Sequence, residues 1–347
     1  PGSLAMRIVV VGGGVVGLTT ALALKESNWP SVEVWAEELP GVCSMCAAAT
    51  CVYADQLFDD GRDAKVLQRL EGWIRTTMAE LEGWQPKQGV LVDVPGLILH
   101  TTPEPEPMPW WACGRGRWRD ATFLESFGLN TSVYRGALQV FGPVMEPPLV
   151  LETLLKKAVD VGVVLRKRRI AALAEASQHA DIVINCLGLG AREVVPDLKV
   201  TAGRAQIAIC DVGESYWSTT GKCWFVDEFG PNAVSYIMPR PSDNKAIVGG
   251  VLELGNFDIT VKPEQTVGIV QRARRVCPDL DIRRVSAYAA LRPLRTGGPR
   301  VERDANLSGT KLIHNYGHGA SGWTLSFGCA KEVSRMVVDA HTGTSRL

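Results

Sequence analysis

Residues 7–18 read RIVVVGGGVVGL, and this stretch predicts a strand, a glycine turn and the start of a helix. Its continuous run of Val and Ile predicts a strand that is buried on both faces of a parallel sheet. Gly12 and Gly14 allow a tight turn and a close approach of the backbone to a pyrophosphate, while Gly17 lets the following helix pack on the strand. The free N–H groups and the positive dipole end of that helix face the same anion.

An acidic residue at the expected distance supports this interpretation. Residues 32–37 read VEVWAE, which predicts a second strand that ends at Glu37. A carboxylate at this point accepts hydrogen bonds from the ribose of a dinucleotide. The motif and its context favour a dinucleotide-binding unit over a glycine-rich turn in an apolar hairpin, but they leave FAD and NAD open.

A second glycine turn, near the other end of the chain, favours FAD. Residues 317–322 read GHGASG and lie between a predicted strand, residues 311–315, and a predicted helix, residues 324–340. This turn repeats the anion-binding logic of the first one. Because reduced flavin carries negative charge near N1 and O2, one turn can hold the pyrophosphate and the other the isoalloxazine ring. No covalent link is indicated, so we expect non-covalent FAD.

Length and composition bound the remaining possibilities. The 347 residues suggest two domains, and 46% apolar residues suffice for a sizeable core. The formal net charge is zero, so we expect neither nucleic acid nor a membrane as a partner. Residues 8–24 are apolar, but three consecutive glycines and two threonines argue against a signal peptide or a membrane span. The protein is expected to be soluble.

The nine cysteines are odd in number and irregular in spacing, which predicts free thiols in a reducing compartment. Cys43 and Cys46 form a C-x-x-C motif, and Cys51 follows it, so a redox or zinc role is the alternative. No second such motif and no nearby His completes a zinc site, so we expect no metal.

The middle of the chain predicts a second sheet. Residues 181–190 read DIVINCLGLG, which predicts a buried parallel strand that returns to the first sheet. Residues 205–210, 233–238 and 246–252 predict antiparallel strands of another domain. The predicted fold class is therefore α/β, with a Rossmann-like FAD-binding domain around a parallel sheet and a second, α+β substrate domain around an antiparallel sheet.

Seven motifs, in their order along essentially the whole chain, resemble the D-amino-acid oxidase and D-aspartate oxidase family. They are residues 12–17, Asn185-Cys186-x-Gly188, Gly203-Arg204-x-Gln206, Ser235-Tyr236-Ile237-x-Pro239, Gly249-Gly250, Leu291-Arg292-Pro293 and residues 313–319. The resemblance implies an FAD-binding domain made of residues 1–52, 144–188 and 296–347. It implies a substrate-binding domain made of residues 53–143 and 189–295.

The resemblance also implies roles for individual residues. Arg292 matches the arginine that binds the substrate carboxylate, a task suited to a planar guanidinium that keeps its charge; the alternative is a surface ion pair. Tyr236 matches a tyrosine whose hydroxyl binds the same carboxylate, the alternative being a core tyrosine. A backbone carbonyl near Ala320 is expected to accept from the substrate amine. The glycine motifs and the resemblance together indicate the FAD-binding residues Gly12, Gly14, Val15, Val16, Gly17, Glu37, Ser44, Ala48, Ala49, Gly188, Arg292, Gly319, Ala320, Ser321, Gly322, Trp323 and Thr324.

The implied reaction oxidises a D-amino acid to an imino acid by hydride transfer from Cα to flavin N5. Water converts the imino acid to a 2-oxo acid and ammonia, and dioxygen becomes hydrogen peroxide. A neutral amine and direct hydride transfer need no protein base. His314 and His318 are therefore expected to support the glycine turn.

The substrate side chain is open, because Asn232 replaces a second tyrosine of the family's lid and residues 215–231 do not match the lid closely. We expect neutral D-amino acids, with D-aspartate oxidase as the alternative and Lys222 or Arg240 as its second cation. An NAD-dependent dehydrogenase and a catalytically silent FAD-binding relative are further alternatives. The second glycine turn argues against the former, and the presence of both carboxylate-binding residues argues against the latter.

The last three residues, Ser345-Arg346-Leu347, resemble a peroxisomal address of the S-K-L type. They predict recognition by a peroxisomal import receptor and localisation to the peroxisome or glycosome, with the cytoplasm as the alternative. A homodimer is left open.

Overall fold

The computed structural model describes most of the chain. The described residues are 6–41, 49–50, 64–102, 108–109, 112, 116–213, 216, 223–227, 235–240, 242–243, 245–304 and 310–342.

The strands and helices of the described residues follow in chain order. The strands are β1 (Arg7–Val11), β2 (Ser31–Ala36), β3 (Ala49–Thr50), β4 (Val90–His100), β5 (Arg117–Asp120), β6 (Gly136–Met145), β7 (Val164–Lys167), β8 (Ile182–Asn185), β9 (Val200–Val212), β10 (Trp224–Asp227), β11 (Ser235–Pro239), β12 (Lys245–Leu254), β13 (Ile282–Arg295), β14 (Arg300–Asp304) and β15 (Lys311–Tyr316). The helices are α1 (Val15–Glu26), α2 (Ala64–Leu81), α3 (Ala121–Glu125), α4 (Pro147–Asp160), α5 (Leu173–Ser177), α6 (Ala191–Val194), α7 (Pro263–Val276) and α8 (Gly322–Thr342).

One sheet carries both glycine turns. Its strand order is β14-β15-β8-β1-β2-β7, and every neighbouring pair is parallel except β14 with β15. Alternate residues of β1 enter different clusters: Ile8 and Val10 pack with α1, α2 and α8, whereas Val9 and Val11 pack with α5. The first strand is therefore covered on both faces, as its apolar run predicts.

The other sheet is mostly antiparallel. Its order is β13-β9-β12-β11-β10-β4-β6-β3, β5 pairs with β6, and β4 with β10 is the parallel pair. Helix α7 covers one face through Ile269 and Ala273. On the opposite face, Tyr236 belongs to a buried apolar cluster that includes Trp224 and Met238. The predicted fold class, with a parallel sheet and a second antiparallel sheet, is confirmed.

The structure extends several predicted elements. The strand predicted at residues 205–210 runs from Val200 to Val212, and the last helix begins at Gly322 instead of residue 324. Strand β13 was not among the predicted strands. Its residues are mostly exposed or half-buried without regular alternation, so the sequence lacks the period-two signal of a strand with one buried face.

The described part of the chain contains no helix that is long and apolar enough to cross a membrane. The five cysteines that the structure describes, Cys186, Cys210, Cys223, Cys277 and Cys329, are buried and form no disulfide.

Helices α2 and α8 touch at a glycine, which gives a test of the packing. A Cβ added to Gly328 would lie 2.2 Å from the Cα of Trp73 and 2.4 Å from its carbonyl oxygen. Because backbone atoms must then move, Gly328→Ala should lower the free energy of unfolding by about 1–3 kcal/mol. Denaturant unfolding of the FAD-saturated protein measures this change.

Gly72→Ala is the matched control, since Gly72 also lies inside a helix and a Cβ there meets nothing within 4 Å. Its higher helix propensity should raise the free energy of unfolding by about 0.5–1 kcal/mol. Equal effects of the two substitutions would contradict the close contact between α2 and α8.

Candidate active site

A cleft of about 390 Å³ opens at the carboxyl ends of the parallel strands. The turns after β1, β2, β8 and β15 line one side, and Arg292 and Pro293 of β13 reach it from the antiparallel sheet. Ligands of open α/β sheets bind at this edge, where strand ends and helix starts converge.

The first glycine turn brings backbone close to backbone. Gly12 has a φ of +121°, and a Cβ there would lie 2.2 Å from the carbonyl oxygen of Cys186. A Cβ on Gly17 would lie 1.9 Å from the carbonyl oxygen of Gly12, so Gly17 supports the turn from behind and does not line the cleft. Helix α1 follows Gly14, has no acidic residue in its first turn, and presents Val15 to the cleft. This start of α1 suits an anion.

Glu37 lies directly after β2 and lines the same cleft, as the motif predicts. Its carboxylate is largely exposed and lies 3.4 Å from Nη1 of Arg169. An exposed ion pair of this kind is weak, so the carboxylate stays available to a ribose.

The second glycine turn lies beside the first, because β15 and β1 both neighbour β8. Gly317 and Gly319 have φ values of +81° and +60°, and residues 319–321 form a short 3₁₀ turn before α8. Among the other predicted FAD-binding residues, Gly188, Ala320, Gly322 and Trp323 also line the cleft, as does Val16. Ser321 and Thr324 are buried and do not line it.

Three buried polar atoms around the cleft are suited to a bound group. Oδ1 of Asn315, Nε2 of His318 and Nε1 of Trp323 have no hydrogen-bond partner among the described residues, and all three residues line the cleft. Leaving a buried polar atom unsatisfied costs about 1–3 kcal/mol. These atoms, together with two glycine turns whose backbone is open to an anion, fit a polar dinucleotide.

Asn315 and Tyr316 line the cleft but were not predicted as FAD-binding residues. The signal was a polar residue inside an apolar strand, since Asn315 is fully buried in β15. Its Nδ2 donates to the Oγ1 of Thr20 over 3.0 Å, which joins β15 to α1, the two elements next to the glycine turns.

The two histidines have different environments. His314 is fully buried, with Nδ1 3.2 Å from Nδ2 of Asn185 and Nε2 3.0 Å from Oδ2 of Asp304. Burial lowers the pKa of His314. His318 lines the cleft, and burial lowers the pKa of its imidazole to about 4. Both side chains are therefore neutral at physiological pH.

Arg292 is the charged group at the junction of the two sheets. It is half-buried, and no carboxylate of the described residues forms an ion pair with it. Its guanidinium hydrogen-bonds the hydroxyl of Tyr236. Burial raises the pKa of Tyr236, although the neighbouring guanidinium opposes the shift, so the hydroxyl keeps its proton.

Several predicted residues lie outside this picture. Some positions named from the sequence lie outside the described residues: Ser44, Ala48, Cys43, Cys46, Lys222, Asn232 and residues 345–347. Ala49 is described only as backbone of β3. Arg240, a candidate second cation, donates to the carboxylate of Glu146 over 3.1 Å and lies 3.3 Å from Asp243. Within the described ranges, no group of three or more His, Cys, Asp or Glu side chains could hold a metal ion.

Comparison with known proteins decides the family. The family described as FAD dependent oxidoreductase, abbreviated DAO, matches residues 7–336. The chain belongs to this family. The resemblance expected from the sequence is confirmed, and FAD is the cofactor of the family.

Curated relatives of this FAD-dependent oxidoreductase align along nearly the whole chain. A protein of Rubrobacter xylanophilus named D-amino-acid oxidase is 32% identical, with 96% of this chain and 97% of the relative covered. A D-amino-acid oxidase of Streptomyces coelicolor is 30% identical, with 95% and 96% covered. Among solved structures, glycine oxidase from Geobacillus kaustophilus superposes with a TM-score of 0.76 at 18% identity, over 98% of this chain and 95% of that one, which supports the fold.

The buried His318 predicts a pH dependence of stability. Unfolded histidine has a pKa of about 6.5. Between about pH 7 and pH 4 the unfolded chain takes up a proton that folded His318 does not, so the free energy of unfolding should fall by up to about 3 kcal/mol. In His318→Asn this slope should be shallower, as measured by thermal unfolding of the FAD-saturated protein.

His179→Asn is the control, because His179 is exposed. That variant should keep the parent slope. An unchanged slope in His318→Asn would show that His318 is not held neutral in the folded protein.

Proposed function

We propose that the protein is an FAD-dependent oxidase of D-amino acids that produces 2-oxo acids, ammonia and hydrogen peroxide. The observation that carries this proposal is a half-buried guanidinium, Arg292, which lines the FAD cleft without a carboxylate partner among the described residues. A partly buried charge without a partner costs free energy, and an anionic ligand would offset that cost. The relatives named D-amino-acid oxidase support an amino-acid carboxylate as that anion.

Arg292 and Tyr236 together form the carboxylate anchor. The guanidinium only donates hydrogen bonds, so in their mutual contact the tyrosine oxygen accepts. The phenolic proton is then free to point toward a substrate carboxylate. Arg292 contributes charge and further donors to the same carboxylate, and its planar shape suits two parallel hydrogen bonds.

The glycine turns would hold the cofactor non-covalently. Gly12, Gly14 and the start of α1 would bind the pyrophosphate, Glu37 the ribose, and the turn around Ala320 the isoalloxazine edge. FAD held there would supply a hydride acceptor for the substrate Cα and a route for two electrons to dioxygen.

The substrate is oriented by two anchors. The carboxylate is fixed by Arg292 and Tyr236, and the amine donates to a backbone carbonyl near Ala320. With the flavin face as a third reference, one enantiomer directs its Cα hydrogen at the flavin, and the relatives support the D form. No protein base is required when the amine enters neutral and the hydride leaves Cα directly. Rate enhancement then comes from positioning and electrostatics.

The surroundings of Tyr236 favour a neutral substrate side chain. Its buried cluster consists of apolar residues such as Ile207, Trp224 and Met238. The candidate second cation Arg240 is engaged with Glu146 and Asp243. D-aspartate oxidase activity is the alternative, and it would have to use a cation elsewhere, such as Lys222.

Three further features stay predictions. We assign FAD binding to residues 1–52, 144–188 and 296–347 and substrate binding to residues 53–143 and 189–295. Peroxisomal import would depend on residues 345–347, and a homodimer is untested.

Removing Arg292 tests the carboxylate anchor. In Arg292→Ala, the loss of a charged hydrogen-bonding partner should weaken transition-state binding by about 2–5 kcal/mol. The kcat/KM for a D-amino acid should therefore fall at least about thirtyfold. The flavin absorbance spectrum should persist. Arg283→Ala is the control, since Arg283 lies on the same strand, is exposed, and pairs with Asp281 at 2.8 Å. Parent-like kinetics in Arg292→Ala would remove the basis of the proposal.

A substrate panel tests stereochemistry and charge. Peroxide production should be measured with D-Ala, D-Met, D-Phe, D-Asp and their L forms. The anchors predict turnover of D-amino acids, and the apolar surroundings of Tyr236 predict a preference for the neutral ones. Faster turnover of any L form would contradict the stereochemical assignment, whereas a preference for D-Asp would contradict only the assignment of a neutral side chain.

A further inference from the structure

Two adjacent glycines lie directly under the ring of Tyr236. Tyr236 in β11 pairs with Gly249 in β12. A Cβ added to Gly249 would lie 1.9 Å from Cζ of the tyrosine, 2.2 Å from its hydroxyl oxygen and 2.4 Å from Cε2. A Cβ on Gly250 would lie 3.1 Å from Cε1 and 3.3 Å from the hydroxyl oxygen. The hydroxyl end of the ring thus rests on both glycines, which we call the glycine shelf.

The shelf is fixed from below. Strand pairing between β12 and β9 skips Gly250, because the register shifts between Gly249 and Val251. The carbonyl oxygen of Gly250 instead accepts a hydrogen bond of 2.9 Å from Nη2 of Arg272, which comes from α7. A backbone held by a side chain from a packed helix cannot easily yield to an added methyl group.

The tyrosine has little freedom to move away from the shelf. Its side chain is 8% exposed, within an apolar cluster. Its hydroxyl also meets the guanidinium of Arg292. Any side chain on the shelf would therefore push the hydroxyl out of its place beside Arg292, since protein interiors have no spare volume for the displaced ring.

We propose that Gly249 and Gly250 are positioning residues that set the height of the Tyr236 hydroxyl, so that it meets the substrate carboxylate together with Arg292. This inference rests on the proposed function. The glycines themselves would touch neither substrate nor cofactor. Their effect passes through the tyrosine ring, and without the ring they should be replaceable.

A double-mutant cycle tests this dependence. The four FAD-loaded proteins are the parent, Gly249→Ala, Tyr236→Ala and the double variant. The probe is pyruvate, a 2-oxo acid that carries the carboxylate but has no α-amino group to oxidise. Its Kd is read from the change in the flavin absorbance spectrum. Thermal unfolding gives a second readout that needs no ligand turnover.

Gly249→Ala should raise the Kd of pyruvate about tenfold in the parent, which is the effect of losing one hydrogen bond to a charged group. In the Tyr236→Ala background the same substitution should change the Kd less than about twofold. In the parent protein, Gly249→Ala should also lower the thermal midpoint. It should stay level or rise in the background without the ring, because the methyl group then fills vacated space.

Equal effects of Gly249→Ala on the Kd of pyruvate with and without the tyrosine ring would overturn the proposal. The glycine would then be needed only for the backbone conformation of β12. If Gly249→Ala does not fold, Gly250→Ala takes its place. Its overlaps are milder, so a smaller rise in Kd with the same dependence on Tyr236 is expected.

Gly328→Ala is the control outside the Tyr236 cluster. A Cβ there would lie 2.2 Å from the Cα of Trp73, a severe overlap with a residue that belongs to a different core cluster. It should lower the thermal midpoint equally with and without the Tyr236 ring. The parent protein separates the two hypotheses: if it neither oxidises D-amino acids nor binds pyruvate, the proposed function fails, whereas an active parent with an additive cycle rejects only the glycine shelf.

Discussion

The site depends on one positive charge that the described protein leaves without a carboxylate partner where its two sheets meet. Other arginines nearby are paired: Arg295, three residues further along β13, lies 2.8 Å from Asp197, and Arg300 lies 3.0 Å from Asp304. Arg292 instead hydrogen-bonds a neutral tyrosine and faces the cleft. A half-buried charge costs free energy until an anion reaches it. The arrangement therefore favours a ligand that carries a carboxylate, and an amino acid meets that requirement.

The second constraint is the close approach of backbones around the cofactor cleft. Strands β1, β8 and β15 are neighbours in one parallel sheet, so glycine turns from opposite ends of the chain meet at a single edge. The turn after β1 tolerates no side chain at Gly12, and the turn after β15 passes through two glycines with positive φ. Because β13 reaches this edge from the antiparallel sheet, the cofactor and substrate sites become adjacent. Burial of Asp197 alone would raise its pKa, but hydrogen bonds from Arg295 and Tyr316 lower the pKa to about 2. The Asp197 carboxylate therefore stays ionised and bonded to both β13 and β15.

The parts of the fold and site that could be predicted from the sequence are those that depend on neighbouring residues. The apolar run of β1 and the glycine turns are read from adjacent residues, because buried parallel strands and tight turns restrict residue type locally. Strand β13 lacked such a pattern, since few of its residues are buried. The pairing of Arg240 with Glu146 spans 94 residues, and the unsatisfied Nε2 of His318 depends on tertiary burial. The family resemblance identified Arg292 and Tyr236, but their mutual contact required the fold.

Anaerobic reduction of the bound flavin tests whether the anchor formed by Arg292 and Tyr236 selects one enantiomer. Without dioxygen, a single addition of D-Met should bleach the oxidised-flavin absorbance, because the anchored carboxylate directs the Cα hydrogen of that enantiomer toward the cofactor. L-Met at the same concentration should leave the spectrum oxidised. Bleaching by both enantiomers at similar rates, or by neither, would contradict a D-specific carboxylate anchor beside the FAD cleft.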